Sequence, residues 1–106
     1  MISRYLVALL MTPLLALSML PAQAEYQLET VAEGLNFPWS VAFLPDGNYL
    51  VATRPGQLLR ISNAGEVSAP LSGTPEALVE SQGGYFDIML DQDFADNQTV
   101  YLSFAW

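Results

Sequence analysis

The residues best suited to bind a ligand lie in the segment SQGG, residues 81–84, directly before an apolar segment that begins at Tyr85. The amide of Gln82 both donates and accepts hydrogen bonds, which suits a ligand that carries hydroxyl groups. Gly83 and Gly84 lack Cβ and allow another group to approach the backbone closely. From the residues alone, a plainer interpretation is favoured: a turn whose glycines adopt positive φ while Gln82 is merely solvated.

A second candidate is the acidic cluster Asp91, Asp93, Asp96 and Asn97, whose oxygen atoms are of the kind that Ca²⁺ prefers. An EF-type loop needs glycine at its sixth position and a distal glutamate. Here Asp96 occupies the sixth position and the glutamate is missing. The sequence therefore predicts a turn capped by aspartate side chains, and no metal site.

Charge and composition limit the chemistry available to the chain. It has 3 basic and 11 acidic side chains and a formal charge of −8, which excludes nucleic acid and anionic membranes as expected partners. It has no His and no Cys, so the commonest general base and all thiolate chemistry are absent. Arg54 and Arg60 are the only cations after residue 24. Either one could pair with a cofactor carboxylate, although structural ion pairs are more common.

Residues 1–24 have the features of a cleaved secretory signal peptide. Arg4 supplies a positive charge, residues 6–20 are an apolar run, and small residues end at Ala24. The run is short for a membrane span, so no stable membrane anchor is expected after cleavage. The mature part, residues 25–106, is expected to be periplasmic or secreted and to form one domain.

Residues 25–106 read as short antiparallel strands joined by tight turns, with no convincing helix. This pattern predicts an all-β sandwich, barrel or propeller, with Trp39 as a core anchor. A single helical turn at 75–80 is an alternative to a loop. Strands are expected within residues 25–35, 37–54 (a hairpin around Asp46-Gly47), 55–62, 63–71, 85–90 and 99–106.

An internal repeat favours the propeller. Residues 39–47, WSVAFLPDG, align with residues 86–94, FDIMLDQDF; after four extra residues, 49–53 align with 100–104. Repeats of about forty to fifty residues with about four strands each are typical of propeller blades. About three or more such units are needed for stability, so we expect an opening strand and about one and a half blades of a longer protein, inactive and poorly folded alone.

The chain contains Pro-Trp-x-x-Ala-Phe-x-Pro-Asp-Gly, Arg-Pro-Gly, and Gln-Gly-Gly leading into x-x-Asp-x-x-Leu-Asp-x-Asp-Phe. With these motifs in this order, residues 31–106 resemble the opening of the soluble PQQ-dependent sugar dehydrogenases, the glucose/sorbosone dehydrogenase family that includes periplasmic aldose sugar dehydrogenases. The resemblance implies a six-bladed propeller with PQQ and Ca²⁺ in its central cleft. It implies oxidation of an aldose at the anomeric carbon to a lactone, with electrons passing on to an acceptor.

The resemblance carries one functional residue onto this chain, since Gln82 matches a glutamine that hydrogen-bonds the sugar. The family's catalytic His, its cofactor-binding side chains and its Ca²⁺ ligands are expected beyond Trp106, so no catalytic or metal residue is assigned here. Two alternatives stay open, a non-catalytic ligand- or protein-binding propeller and a Ca²⁺-dependent lactonase-type propeller. The sequence after Trp106 would distinguish them.

Overall fold

A computed structural model describes residues 25–106, and the predicted signal peptide lies outside this range. No helix within residues 25–106 has the length and apolar character needed to cross a bilayer. The elements are β1 (Pro38–Phe43), β2 (Tyr49–Thr53), β3 (Gln57–Ile61), β4 (Tyr85–Leu90), the short helix α1 (Phe94–Asn97) and β5 (Val100–Phe104).

The first sheet is an antiparallel meander in the order β1-β2-β3. Its first turn forms as predicted: Gly47 has a φ of 85° and its N–H donates to the carbonyl of Leu44 at 3.0 Å. The side chain of Asp46 accepts from the N–H of Asn48 at 3.0 Å, which fixes the same turn. The fourth strand expected after β3 is reduced to an isolated bridge between Ile61 and Val67.

The second sheet contains β4 and β5, and it reproduces the first hairpin. The connecting loop is longer here, residues 91–99 against 44–48, and α1 takes up the added length. Both hairpins carry a register irregularity near the start of their first strand. The pairs Pro38–Thr53 and Phe43–Tyr49 of the first hairpin correspond to Tyr85–Phe104 and Leu90–Val100 of the second.

The core lies between the two sheets. β4 packs chiefly against β1 and also contacts β2, and the Ser40 hydroxyl donates to the carbonyl of Phe86 at 2.7 Å. Tyr85 is fully buried, and its ring packs edge to face against that of Phe104, with the two ring centroids 6.1 Å apart. Two like hairpins packed face to face are the arrangement of neighbouring propeller blades, which confirms the all-β prediction. The buried residues of this core are Ala42, Leu50, Ala52, Leu58, Tyr85 and Ile88.

Two predictions about this region are wrong. Residues 25–35 form no strand, and Tyr26 and Leu28 are almost fully exposed. Trp39 is 62% exposed rather than a core anchor. It shares a face with Val41 and Phe43 as expected, but the opposite face of β1 packs against the second sheet. Alternation fixed which residues share a face and could not fix which face would be covered.

The helical content also differs slightly from the expectation. Residues 75–80 form no helix, so the alternative of a helical turn there is wrong. Instead, the acidic loop contains α1, whose last turn is closed by the N–H of Gln98 donating to the carbonyl of Phe94 at 2.8 Å. Gln98 has a φ of 51°, the left-handed conformation that commonly ends a helix.

Candidate functional site

Gln82 lies in a tight turn at the start of β4, residues 80–84, called here the Gln82 turn. The N–H of Gly83 donates to the carbonyl of Glu80 at 2.7 Å and closes the turn. Ser81 has a φ of 54°, which is disfavoured for a residue with a Cβ. The Gln82 side chain is exposed, and its amide makes no hydrogen bond to another residue of the described range 25–106. The amide is therefore available to a ligand.

Both sheets meet at the Gln82 turn through backbone hydrogen bonds. The N–H of Arg54, at the end of β2, donates to the carbonyl of Phe37 at 2.9 Å, and the carbonyl of Arg54 accepts from the N–H of Tyr85 at 3.2 Å. The carbonyl of Gly84 accepts from the N–H of Ala105 at 3.0 Å. The start of β4 is thus tied to β2 on one side and to the end of β5 on the other.

Arg54 holds the Gln82 turn through its side chain as well. Its Nε donates to the carbonyl of Gly83 at 3.1 Å, and one of its terminal nitrogens donates to the carbonyl of Ser81. These two carbonyls flank Gln82 in the chain. The sequence suggests a cofactor carboxylate or a structural ion pair for Arg54, whereas its side-chain contacts here are with backbone carbonyls. The sequence feature that could have indicated this role is the position of Arg54 at a strand end, in a chain with one other cation after residue 24.

The two glycines of the Gln82 turn accommodate the chain itself. A Cβ on Gly83 would overlap the carbonyl oxygen of Leu78. Gly84 has a φ of 138°, and a Cβ there would overlap the carbonyl oxygen of Arg54 and lie 2.8 Å from its Cγ. The space beside these glycines is filled by backbone, which corrects the expectation that they leave room for a ligand.

The acidic cluster is a hydrogen-bonded turn, as predicted. The Asp91 carboxylate accepts from the Asn97 amide at 2.9 Å, the N–H of Asp93 at 3.0 Å and the Tyr101 hydroxyl at 2.8 Å. These three donors lower the pKa of Asp91 below its ordinary value of 3.8. The hydrogen bond from Tyr101 to Asp91, together with the charge of the carboxylate, raises the pKa of Tyr101 above its ordinary value of 10.0. The oxygens of Asp91 are therefore used by the turn.

The described residues do not supply a complete site for the implied cofactors. Within residues 25–106, no group of acidic side chains is arranged to hold a metal ion. An anionic quinone needs cations, and both arginines are engaged: Arg54 with the Gln82 turn and Arg60 in an exposed ion pair with Asp46. Any cofactor pocket must be completed by other residues.

Similarity to known proteins gives the family. A family model described as glucose/sorbosone dehydrogenase matches residues 35–106. The aldose sugar dehydrogenase YliI of Escherichia coli K12 is 39% identical over 98 residues, which is 90% of this chain and 26% of that protein.

Solved structures agree with this match. The soluble aldose sugar dehydrogenase of Escherichia coli in its apo form is 39% identical with a TM-score of 0.68, over 72% of this chain and 22% of that one. The PQQ-bound aldose sugar dehydrogenase of Streptomyces coelicolor is 36% identical with a TM-score of 0.68, over 74% and 24%. The chain thus spans about a quarter of the length of these relatives. With most of its residues matched by the family model, the chain belongs to the glucose/sorbosone dehydrogenase family.

Proposed function

We propose that this chain is the N-terminal part of an exported PQQ-dependent dehydrogenase that oxidises an aldose at its anomeric carbon to a lactone. The observation that carries the proposal is family membership combined with an exposed Gln82 amide on an anchored turn. The aldose sugar dehydrogenase names of the relatives support the substrate class, and the PQQ-bound relative supports the cofactor. Residues 1–24 serve as the signal peptide for export to the periplasm, and the electrons pass to an acceptor outside the protein.

In this proposal Gln82 binds and orients the sugar. Its side-chain oxygen accepts from one sugar hydroxyl and its side-chain nitrogen donates to another, so a single residue reads two neighbouring polar atoms. β4 packs chiefly against β1, and neighbouring blades of a propeller converge towards the central channel. The start of β4 then lies at the mouth of that channel, where loops form ligand sites.

The remaining chemistry belongs to later blades. The full-length protein, meaning this chain together with those blades, would supply the general base, the cations that hold PQQ, and the Ca²⁺ ligands. PQQ when bound supplies the two-electron acceptor for the sugar. The residues described here contribute substrate binding and the packing of the first blades.

The test is aldose-dependent dye reduction by the full-length protein after reconstitution with PQQ and Ca²⁺. Activity with aldoses and not with the corresponding sugar alcohols supports the proposal. The Gln82→Ala variant is expected to lose about thirtyfold in kcat/KM, since its two hydrogen bonds to the substrate contribute about 1 kcal/mol each. Sugar binding without any dye reduction would instead favour a non-catalytic binding propeller and would refute the enzyme assignment.

A further inference from the structure

The backbone of Arg54 is hydrogen-bonded to both hairpins. Its N–H donates to the carbonyl of Phe37, beside β1, and its carbonyl accepts from the N–H of Tyr85, the first residue of β4. The Cα of Arg54 therefore cannot shift without disturbing two hairpins. From this anchored backbone, two side-chain hydrogen bonds fix the direction of the planar guanidinium.

The guanidinium spans the residue expected to bind substrate. Nε contacts the carbonyl of Gly83 at 3.1 Å and a terminal nitrogen contacts the carbonyl of Ser81, so the two contacts bracket Gln82. Hydrogen bonds from a charged donor are stronger than those between neutral groups. They hold Ser81 in its left-handed conformation at a φ of 54°, which a residue with a Cβ would otherwise leave.

The charge of Arg54 has no competing partner in the described range. Within residues 25–106, the observed ion pair joins Arg60 to Asp46, and Arg54 contacts no carboxylate. Gly84 allows the close packing on the other side, since a Cβ there would lie 2.8 Å from the Cγ of Arg54. Arg54 and the Gln82 turn are thus built as one unit.

We infer that Arg54 is a positioning residue that sets the orientation of Gln82 towards the sugar. This inference rests on the proposed function for its substrate, although the contact itself does not. Arg54 does not touch the sugar; it acts by holding the carbonyls on either side of Gln82. Its removal should weaken sugar binding only when Gln82 is present.

A double-mutant cycle in the reconstituted full-length enzyme tests this dependence. Arg54→Gln is expected to raise the KM for aldose about tenfold, the size of effect that loss of charge-assisted hydrogen bonds produces, with a smaller change in kcat. In the Gln82→Ala background the same substitution is expected to change KM less than about twofold. Arg54→Lys, which keeps the charge and loses the planar fork, should fall between wild type and Arg54→Gln.

Arg60→Gln is the matched control, because Arg60 is an exposed arginine engaged elsewhere. It is expected to leave KM and kcat at wild-type values. If Arg54→Gln lowers activity equally in both Gln82 backgrounds, Arg54 acts on folding or on the cofactor directly, and the inference is overturned. An unchanged KM in Arg54→Gln overturns it as well.

Hydrogen–deuterium exchange separates this inference from the proposed function. Exchange of the peptide that covers residues 79–85 should accelerate about tenfold in Arg54→Gln and remain unchanged in Arg60→Gln, because the N–H of Gly83 is bonded within the turn. Faster exchange in a protein that oxidises no aldose would support the positioning role while refuting the enzyme assignment. Unchanged exchange in an active enzyme would refute the positioning role alone.

Discussion

Substituting alanine at Gly84 tests the close packing between β2 and the Gln82 turn. The Gly84 φ of 138° is unfavourable for an L-residue, at a cost of about 1–2 kcal/mol. The added Cβ would also overlap the carbonyl oxygen of Arg54, which is backbone and is already held by the N–H of Tyr85. Moving that carbonyl would weaken this hydrogen bond, and shifting Gly84 would weaken the one from Ala105, at about 1 kcal/mol each. The free energy of unfolding should fall by about 3–4 kcal/mol.

Gly47→Ala is the matched control for Gly84→Ala. Gly47 also has a positive φ, 85°, but a Cβ there would meet nothing within 4 Å. Its substitution should cost only the backbone strain, about 1 kcal/mol. Urea unfolding of the full-length protein measures both variants as shifts in midpoint at constant slope. If Gly84→Ala destabilises the protein no more than Gly47→Ala does, the packing against Arg54 is wrong.

Three further predictions concern contacts elsewhere in the two sheets. Tyr85→Phe should lower the free energy of unfolding by about 1–2 kcal/mol in urea unfolding, because the buried hydroxyl donates to the carbonyl of Pro75; an unchanged midpoint would contradict that contact. Ser40→Ala should lower the free energy of unfolding by about 1 kcal/mol in the same assay, since the hydroxyl donates to a carbonyl of β4. An unchanged midpoint would contradict this contact between the two hairpins. Tyr101→Phe should raise the pKa of Asp91 in a carboxyl NMR titration, because one donor to the carboxylate is lost. The pKa of Asp91 is depressed in the folded state, so its ionised carboxylate stabilises the fold above pH 3.8. This stabilisation is lost as the pH falls through the folded pKa, and the loss in the free energy of unfolding should be smaller in Tyr101→Phe.

The hairpins could be predicted because their signals are local. Asp46-Gly47 specifies a turn by itself, and the strand beginning at Tyr85 has the bounds expected from the sequence. The repeat aligned both strands of the second hairpin with those of the first, and in the structure Leu90 pairs with Val100 as Phe43 pairs with Tyr49. These features depend on residues a few positions apart.

The contacts at the Gln82 turn could not be predicted in the same way. The side chain of Arg54 reaches a carbonyl 29 residues further along the chain, and no local pattern specifies such a pair. The exposure of Trp39 also depends on tertiary packing. β1 has apolar residues on both faces, so its sequence does not specify which face packs against the next sheet. The pair Gly83-Gly84 predicts the close approach of another group, but only the fold shows that this group is backbone.

The two ends of the paired hairpins differ in how their loops are held. At one end, the loops 44–48 and 91–99 satisfy their own polar groups: Asp46 and Asp91 each accept a backbone N–H two residues on. At the other end, the Gln82 turn carries an exposed amide, and the carbonyls on either side of it accept from the side chain of Arg54, which follows β2 of the other hairpin. A non-glycine residue in the left-handed region occurs at each end, Ser81 in the Gln82 turn and Gln98 in the loop 91–99, so backbone strain does not distinguish the two ends. The contacts of Arg54 with the other hairpin thus hold the backbone on both sides of Gln82, which is the arrangement that the proposed sugar contact needs.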